Sequence, residues 1–155
     1  MKKTFYTKNA EETKELAARM GKNWRRGDVV GLVGDLGAGK TTFVQGVAKA
    51  LGVKRAVRSP TFLRLQVYKV HQVRKSIKSV KSNIKFFVHI DAYRIKKLEE
   101  LLEIGFEDYC GRKDTLVLIE WAERVKKILP KRTLWIRFEY GKHEGERKFS
   151  TALES

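Results

Sequence analysis

Eight consecutive residues, Gly34-Asp35-Leu36-Gly37-Ala38-Gly39-Lys40-Thr41, have the composition and spacing of a phosphate-binding loop, G-x-x-x-x-G-K-[ST]. Gly34, Gly37 and Gly39 let the backbone wrap phosphate oxygens with no Cβ in the way. The amides of Asp35, Leu36, Ala38 and their neighbours, with the positive end of a following helix, favour an anion there. Lys40 is placed to reach terminal phosphates. The Thr41 hydroxyl can ligate Mg²⁺, whose other ligands would be phosphate oxygens, waters and a carboxylate.

Two acids are candidates for that carboxylate. Phe86-Phe87-Val88-His89-Ile90-Asp91 and Thr115-Leu116-Val117-Leu118-Ile119-Glu120 are apolar runs that each end in one. Such runs read as buried strands, and in an open α/β sheet ligands bind beyond the C-terminal ends of the strands. Asp91 and Glu120 are thus the candidates to hold the metal or orient a water. The alternative is that one of them caps the next helix. Thr61, in Ser59-Pro60-Thr61-Phe62, lies in the loop between the first helix after the phosphate loop and the next strand, where a threonine can sense a γ-phosphate or its metal. A capping or turn role for Ser59 and Thr61 fits the spacing equally well.

Several elements must position these residues. Asp28 to Val33 reads as the strand entering the loop, and Thr42 to Gly52 as the helix leaving it, stopped by glycine. Upstream, Thr4–Thr7 suggests a short edge strand. Asn9 is a good N-cap for a helix carrying Leu16, Ala17, Met20 and Trp24 at helical spacing, with Trp24 expected in the core. Leu63, Leu65 and Val67 alternate as in a strand. Leu98, Leu101 and Leu102 mark a helical stretch over Lys96–Tyr109, broken at Gly105, and Ala122–Leu129 reads as a helix stopped by Pro130. Thr133–Tyr140 and Arg147–Leu153 read as a closing hairpin. Asp108-Tyr109-Cys110-Gly111 matches a GTPase D-x-x-G pattern but follows a helix rather than a strand, so it is read as chance.

Composition bounds the possibilities. At 155 residues and 42% apolar, the chain suits one domain with a real core, residues 1–155. The first residues lack the apolar stretch of a signal peptide, and no run is long enough to span a membrane. Cys110 is the only cysteine, which forbids an intramolecular disulfide and suits a reducing, cytoplasmic setting. The formal net charge of +16 points to polyanions, with nucleic acid first, although a basic surface also serves solubility and nucleotide sites. Within that charge, Val70–Lys85 is a basic insertion without a single acid. Its Val and Ile residues recur at steps of three and four, as in a helix, yet two arms of a long hairpin fit as well. Either form projects a basic face, an RNA or partner contact on one reading and a solvated insertion on the other.

Taken together, Gly34–Thr42 (GDLGAGKTT), Ser59–Phe62 (SPTF), His89–Arg94 (HIDAYR) and Ile119–Trp121 (IEW), with Leu98–Tyr109 (LEELLEIGFEDY) between the last two, resemble the TsaE (formerly YjeE) family of small bacterial ATPases. The likeness runs from the first helix to the last hairpin. It implies an α/β fold, a P-loop NTPase-like three-layer sandwich with a mixed central sheet. It implies ATP and Mg²⁺ as ligands, and weak hydrolysis that supports TsaB and TsaD in making threonylcarbamoyladenosine next to the tRNA anticodon. By the same likeness, the loop from Gly34 through Thr42 and Lys40 bind phosphate, and Thr41, Glu120 and Asp91 bind the metal or activate water. Thr61 belongs to a nucleotide-responsive loop, and Trp121 lies beside the site. Arg94 contacts phosphate or a partner, and Thr7 or Asn9 approaches the adenine. Two departures stand out: Ala92 replaces a more usual leucine, and Val70–Lys85 exceeds a usual hairpin connection by about a dozen residues. That extra length offers tRNA a contact through the basic surface. The rival reading is a phosphate-loop kinase phosphorylating a small acceptor, and another is an RNA-binding module that uses nucleotide as a switch.

Overall fold

The structure is a computed structural model and describes residues 2–71 and 83–153. Its strands are β1 (Lys3–Thr7), β2 (Val29–Val33), β3 (Leu65–Lys69), β4 (Phe86–Asp91), β5 (Thr115–Glu120), β6 (Leu134–Tyr140) and β7 (Arg147–Leu153). They form one seven-stranded sheet in the order β1-β7-β6-β2-β5-β4-β3. The pairs β2–β5, β2–β6 and β4–β5 are parallel, and β3, β7 and β1 add antiparallel edges.

The apolar runs become central strands because both of their faces are covered. On β4 and β5, Phe87, Leu116 and Leu118 face one core, while Val88, Ile90, Val117 and Ile119 face the other. The first core is roofed by α1 (Ala10–Gly21) and α2 (Lys40–Ala50), through Leu16, Ala17, Phe43, Val44 and Val47. The second is closed by α3 (Leu98–Glu103), α4 (Phe106–Tyr109) and a 3₁₀ helix at Ala122–Ile128, through Leu101, Phe106, Ala122 and Val125. Helices on both faces of a mixed sheet make the expected three layers.

Two packing details fix the phosphate-loop helix. Phe43, one turn into α2, meets Phe138 edge-on at 5.4 Å between ring centroids, and Phe138 meets Phe149 edge-on at 4.9 Å. This arrangement suits the aromatic quadrupole and ties α2 to β6 and β7. The second detail is Gly46, where α1 and α2 touch. A Cβ there would stand 2.7 Å from Lys14 Cα and 2.8 Å from Ala17 Cβ, so backbone rather than a flexible side chain would have to give way. Gly46→Ala is therefore expected to destabilise the fold by about 1–3 kcal/mol despite alanine's better helix propensity. Thermal denaturation checks this, and an unchanged or raised Tm would contradict the close packing.

Other expectations are adjusted locally. The segment expected to run as a helix over Ala122–Leu129 is a 3₁₀ helix ending at Ile128. Strand β3 begins at Leu65, not Leu63, because Arg64 N–H bonds the Pro60 carbonyl in a turn with Arg64 at φ 63°. Leu63 is left 68% exposed. Gly105, at φ 87°, splits the Lys96–Tyr109 helix into α3 and α4. Trp24 is in the core but lies beyond the end of α1. Of the basic insertion Val70–Lys85, residues 72–82 fall outside the described residues, and so does the choice between helix and hairpin. At its two ends, Val70 N–H bonds the Lys85 carbonyl at 2.9 Å, and Ile84 is buried. No described helix is long and apolar enough to cross a membrane.

Candidate functional site

The parallel strands β2, β4 and β5 carry the loop and both acids to one end of the sheet. Register sets Asp91 opposite Glu120 on adjacent strands. Both fall in phase with the α2-side core residues Phe87 and Leu118, at even steps along their strands, and alternate with Ile90 and Ile119 of the other core, so both carboxylates lie on the face where α2 begins. The helix starts at Gly39, whose φ of 101° is one that L side chains rarely adopt, and no side chain caps it. Its first amides are thus left for an anion. A cavity of about 400 Å³ opens here, lined by the loop, Thr41, Thr42, Ser59, Thr61, Asp91, Tyr93, Glu120 and Trp121.

Lys40 is only 4% exposed. Its ammonium donates to the Asp35 carbonyl at 2.8 Å and to the Gly34 carbonyl, and it lies 4.1 Å from the Trp121 ring centroid. Burial lowers its pKa from the usual lysine value, since desolvation outweighs the nearby charges of Glu120, Glu123, Asp91 and Asp35. A base depressed in this way costs the fold stability while charged in both states, and the cost fades as pH rises through the folded pKa toward 10.5. A polyanion brought against this ammonium would reverse the penalty.

The two carboxylates have separate retinues. Thr41 Oγ1 donates to Glu120 Oε1 at 2.9 Å and Oε2 at 3.1 Å. His89 Nε2 lies 2.8 Å from Glu120 Oε1, and the ring is fully buried with Nδ1 unpartnered among the described residues. The tautomer that satisfies this pair carries its proton on Nε2. Asp91 Oδ2 accepts from the hydroxyls of Ser59 and, at 3.1 Å, Thr61, while Oδ1 accepts from Tyr93 N–H at 2.9 Å. Neither acid caps a regular helix, so the capping alternative fails for both. Thr61 points to the site, its hydroxyl 2.9 Å from that of Ser59 as both converge on Asp91.

Other expected residues lie apart. Asn9 caps α1, its Oδ1 accepting Glu12 N–H at 2.9 Å, and does not line the cavity. Thr7 is buried and bonded to the Thr13 hydroxyl at 2.8 Å. Arg94 sits over the Phe62 ring at 4.5 Å. Trp121 is beside the site as expected, held at φ 57° in the sharp turn out of β5.

Sequence reasoning gave Ser59 only a capping or turn role and assigned no site role to His89, Tyr93, Tyr140 or Arg147. His89 carried a usable signal, since two residues from Asp91 on one strand puts both on the same face. Tyr140 and Arg147 carried none. They brace the loop from the β6–β7 hairpin, the Tyr140 hydroxyl donating to the Leu36 carbonyl and Arg147 Nη2 to the Gly37 carbonyl at 3.1 Å. Cys110 lies apart from the site, and burial raises its thiol pKa to about 11.

The donor set fits a phosphate chain and Mg²⁺. An uncapped helix start and a desolvated ammonium suit the anion. One hydroxyl and two carboxylates suit a cation that keeps waters and phosphate oxygens as ligands. Among the described residues no cluster of three or more His, Cys, Asp or Glu could cage a metal without such help.

A G-x-x-x-x-G-K-T loop leaving the central strand β2 of a mixed sheet, with acids ending the next two strands on one side of it, β5 and β4, defines an α/β protein built around a candidate phosphate loop. The family model described as threonylcarbamoyl adenosine biosynthesis protein TsaE matches residues 7–149, and the chain belongs to the TsaE family. It is 41% identical over 122 residues to the tRNA threonylcarbamoyladenosine biosynthesis protein TsaE of Rickettsia felis, an alignment covering 78% of this chain and 63% of that protein. The Bacillus subtilis protein of the same name is 37% identical over 130 residues, covering 84% and 73%. The crystal structure of Bacillus subtilis YdiB superposes with a TM-score of 0.72 at 30% identity, over 100% of this chain and 87% of that one. The chain thus spans under two thirds of the Rickettsia felis relative's length.

Proposed function

We propose that this protein binds ATP with Mg²⁺ and hydrolyses it slowly, and that this cycle supports TsaB and TsaD in the threonylcarbamoyladenosine modification of tRNA in the cytoplasm. The observation that carries the reading is the convergence of Lys40, Thr41, Asp91 and Glu120 on one cavity at the uncapped start of α2. The pathway comes from the family and from the names of its relatives.

In this reading, the loop amides and Lys40 bind the phosphates, the ammonium exchanging two carbonyls for β- and γ-phosphate oxygens. Thr41 and one carboxylate hold Mg²⁺, which when bound neutralises charge on the phosphates. The other carboxylate orients a water in line with the γ-phosphorus. Ser59, Thr61 and Tyr93 N–H fix the Asp91 rotamer, while His89 and Thr41 fix that of Glu120. Either acid is then held ready before the water arrives.

The test is phosphate release by the purified protein, alone and with TsaB, TsaD and tRNA. Slow turnover alone that rises with the partners is expected. Fast solitary turnover, or no response to the partners, would overturn the supporting role. Label passing from ATP to a small acceptor would point to the kinase reading instead.

A further inference from the structure

The opposite end of the sheet is also built for anions. Strands β2, β4, β5 and β6 share one direction, so the loops that precede them gather at their common N-terminal end. Those loops carry Arg26, Lys85, Arg112, Lys113 and Arg132, all exposed. Arg26, Lys85, Arg112 and Lys113 line a cavity of about 660 Å³ together with Asn83 and Asp114, a balance of four cations to one acid. Arg132 lines a neighbouring cleft of about 150 Å³ that shares the same loops. The six-residue strands β4 and β5 separate this end from Asp91 and Glu120 by about 20 Å, so it is no part of the nucleotide site.

The cations are mounted on a fixed backbone. Asp114 carbonyl accepts from Lys85 N–H at 2.8 Å and Phe86 N–H at 3.1 Å, and Gly27 N–H donates to the Thr115 carbonyl at 2.6 Å. The Thr115 hydroxyl reaches back to the carbonyls of Tyr109 at 2.8 Å and Arg112 at 3.0 Å. Arg112 is held by Asp114 through Nε at 2.6 Å and Nη2 at 3.0 Å, with its guanidinium 5.4 Å from the Phe86 ring centroid. That ion pair includes one hydrogen bond, from Nη2 to Oδ2, and leaves guanidinium donors for a ligand. Arg26, Lys85, Lys113 and Arg132 have no side-chain partner among the described residues.

We propose that this end of the sheet is a contact site for the phosphate backbone of RNA, and that tRNA is the RNA it meets. The lining offers charge but no free aromatic face for a base and no glycine-rich cradle for a nucleotide's phosphates, so it reads backbone rather than sequence. The chain's net charge of +16 supplies the long-range attraction. The inference rests on the proposed role in tRNA modification only for the choice of tRNA as the polyanion.

The experiment is fluorescence anisotropy of a labelled tRNA transcript with the full chain, across roughly 50 to 200 mM KCl. The variant is Lys85→Ala with Lys113→Ala, two exposed side chains whose removal leaves the fold intact, checked by circular dichroism. Binding is expected to weaken about tenfold or more, and the slope of log K against log salt to shrink by about 2, near one for each phosphate that the variant no longer neutralises. Lys40→Ala is expected to bind tRNA like the parent chain. An unaltered affinity and slope in the double variant would overturn the site, and so would failure of Lys40→Ala to bind tRNA. Failure of ATP hydrolysis with tRNA binding still mapped to Lys85 and Lys113 would instead sink the ATPase reading and leave this site standing.

Discussion

Lys40→Ala lowers ATP affinity by at least about 100-fold in calorimetry, close to 2.7 kcal/mol. The magnitude follows from what surrounds the ammonium. It is 4% exposed, and its hydrogen bonds go to the carbonyls of Gly34 and Asp35 rather than to a carboxylate. A cation desolvated in this way gains a strong, poorly screened interaction when phosphate oxygens replace the carbonyls. The nucleotide-free protein gives a second readout. Because burial already lowers the Lys40 pKa, removing the charge relieves a desolvation cost that offsets the loss of its two carbonyl hydrogen bonds, so the variant without nucleotide stays folded. Saturating ATP at about 100 times its Kd adds about 2.7 kcal/mol to the parent chain, and this gain disappears in the variant. Unchanged ATP affinity would remove Lys40 from the site.

Glu120→Gln lowers ATP turnover by about 100-fold or more while keeping the fold. The amide preserves the size of the side chain, so its oxygen still accepts from His89 Nε2–H and its nitrogen still meets Thr41 Oγ1. What disappears is the negative charge, which either metal binding or water orientation requires. ATP affinity measured without Mg²⁺ stays within a few-fold of the parent, because the phosphate-binding groups are untouched. Phosphate release within about threefold of the parent would exclude Glu120 from the chemistry. Glu120→Ala is a harsher lesion, since it strands the fully buried His89 donor at about 1–3 kcal/mol, so its fall in activity would mix chemistry with stability.

The two proposed sites lie at opposite ends of the sheet. Parallel strands bring acids and the phosphate loop to one end, and the loops entering those strands bring basic side chains to the other. A nucleotide bound at the first end leaves the second free for a polyanion. The same direction shared by β2, β4, β5 and β6 underlies both sites, so the topology alone separates them.

Much of the site was legible in the chain because its signals are local. The glycine spacing of the loop, the apolar runs ending in Asp91 and Glu120, and the N-cap at Asn9 each depend on a few adjacent residues and on backbone rules that hold in any fold. The helix break at Gly105 and the hairpin of β6 and β7 were readable for the same reason. The 3₁₀ winding of Ala122–Ile128 was not, since its helical spacing of apolar residues is shared by both helix types. The late start of β3 depended on the Pro60–Arg64 turn, which alternation at Leu63 masked.

Pairings across long sequence distances needed the folded chain. Asp91 stands opposite Glu120 because β4 and β5 pair in one register, and a shift of one residue would have turned one acid away. His89 becomes a partner of Glu120, and Tyr140 and Arg147 become braces of the loop, through hydrogen bonds between segments at least 31 residues apart. Which residues could do chemistry was written in the chain, because that is a matter of side-chain type and local backbone freedom. Which of them meet was settled by the fold, because strand order and register follow from burying both faces of the sheet at once.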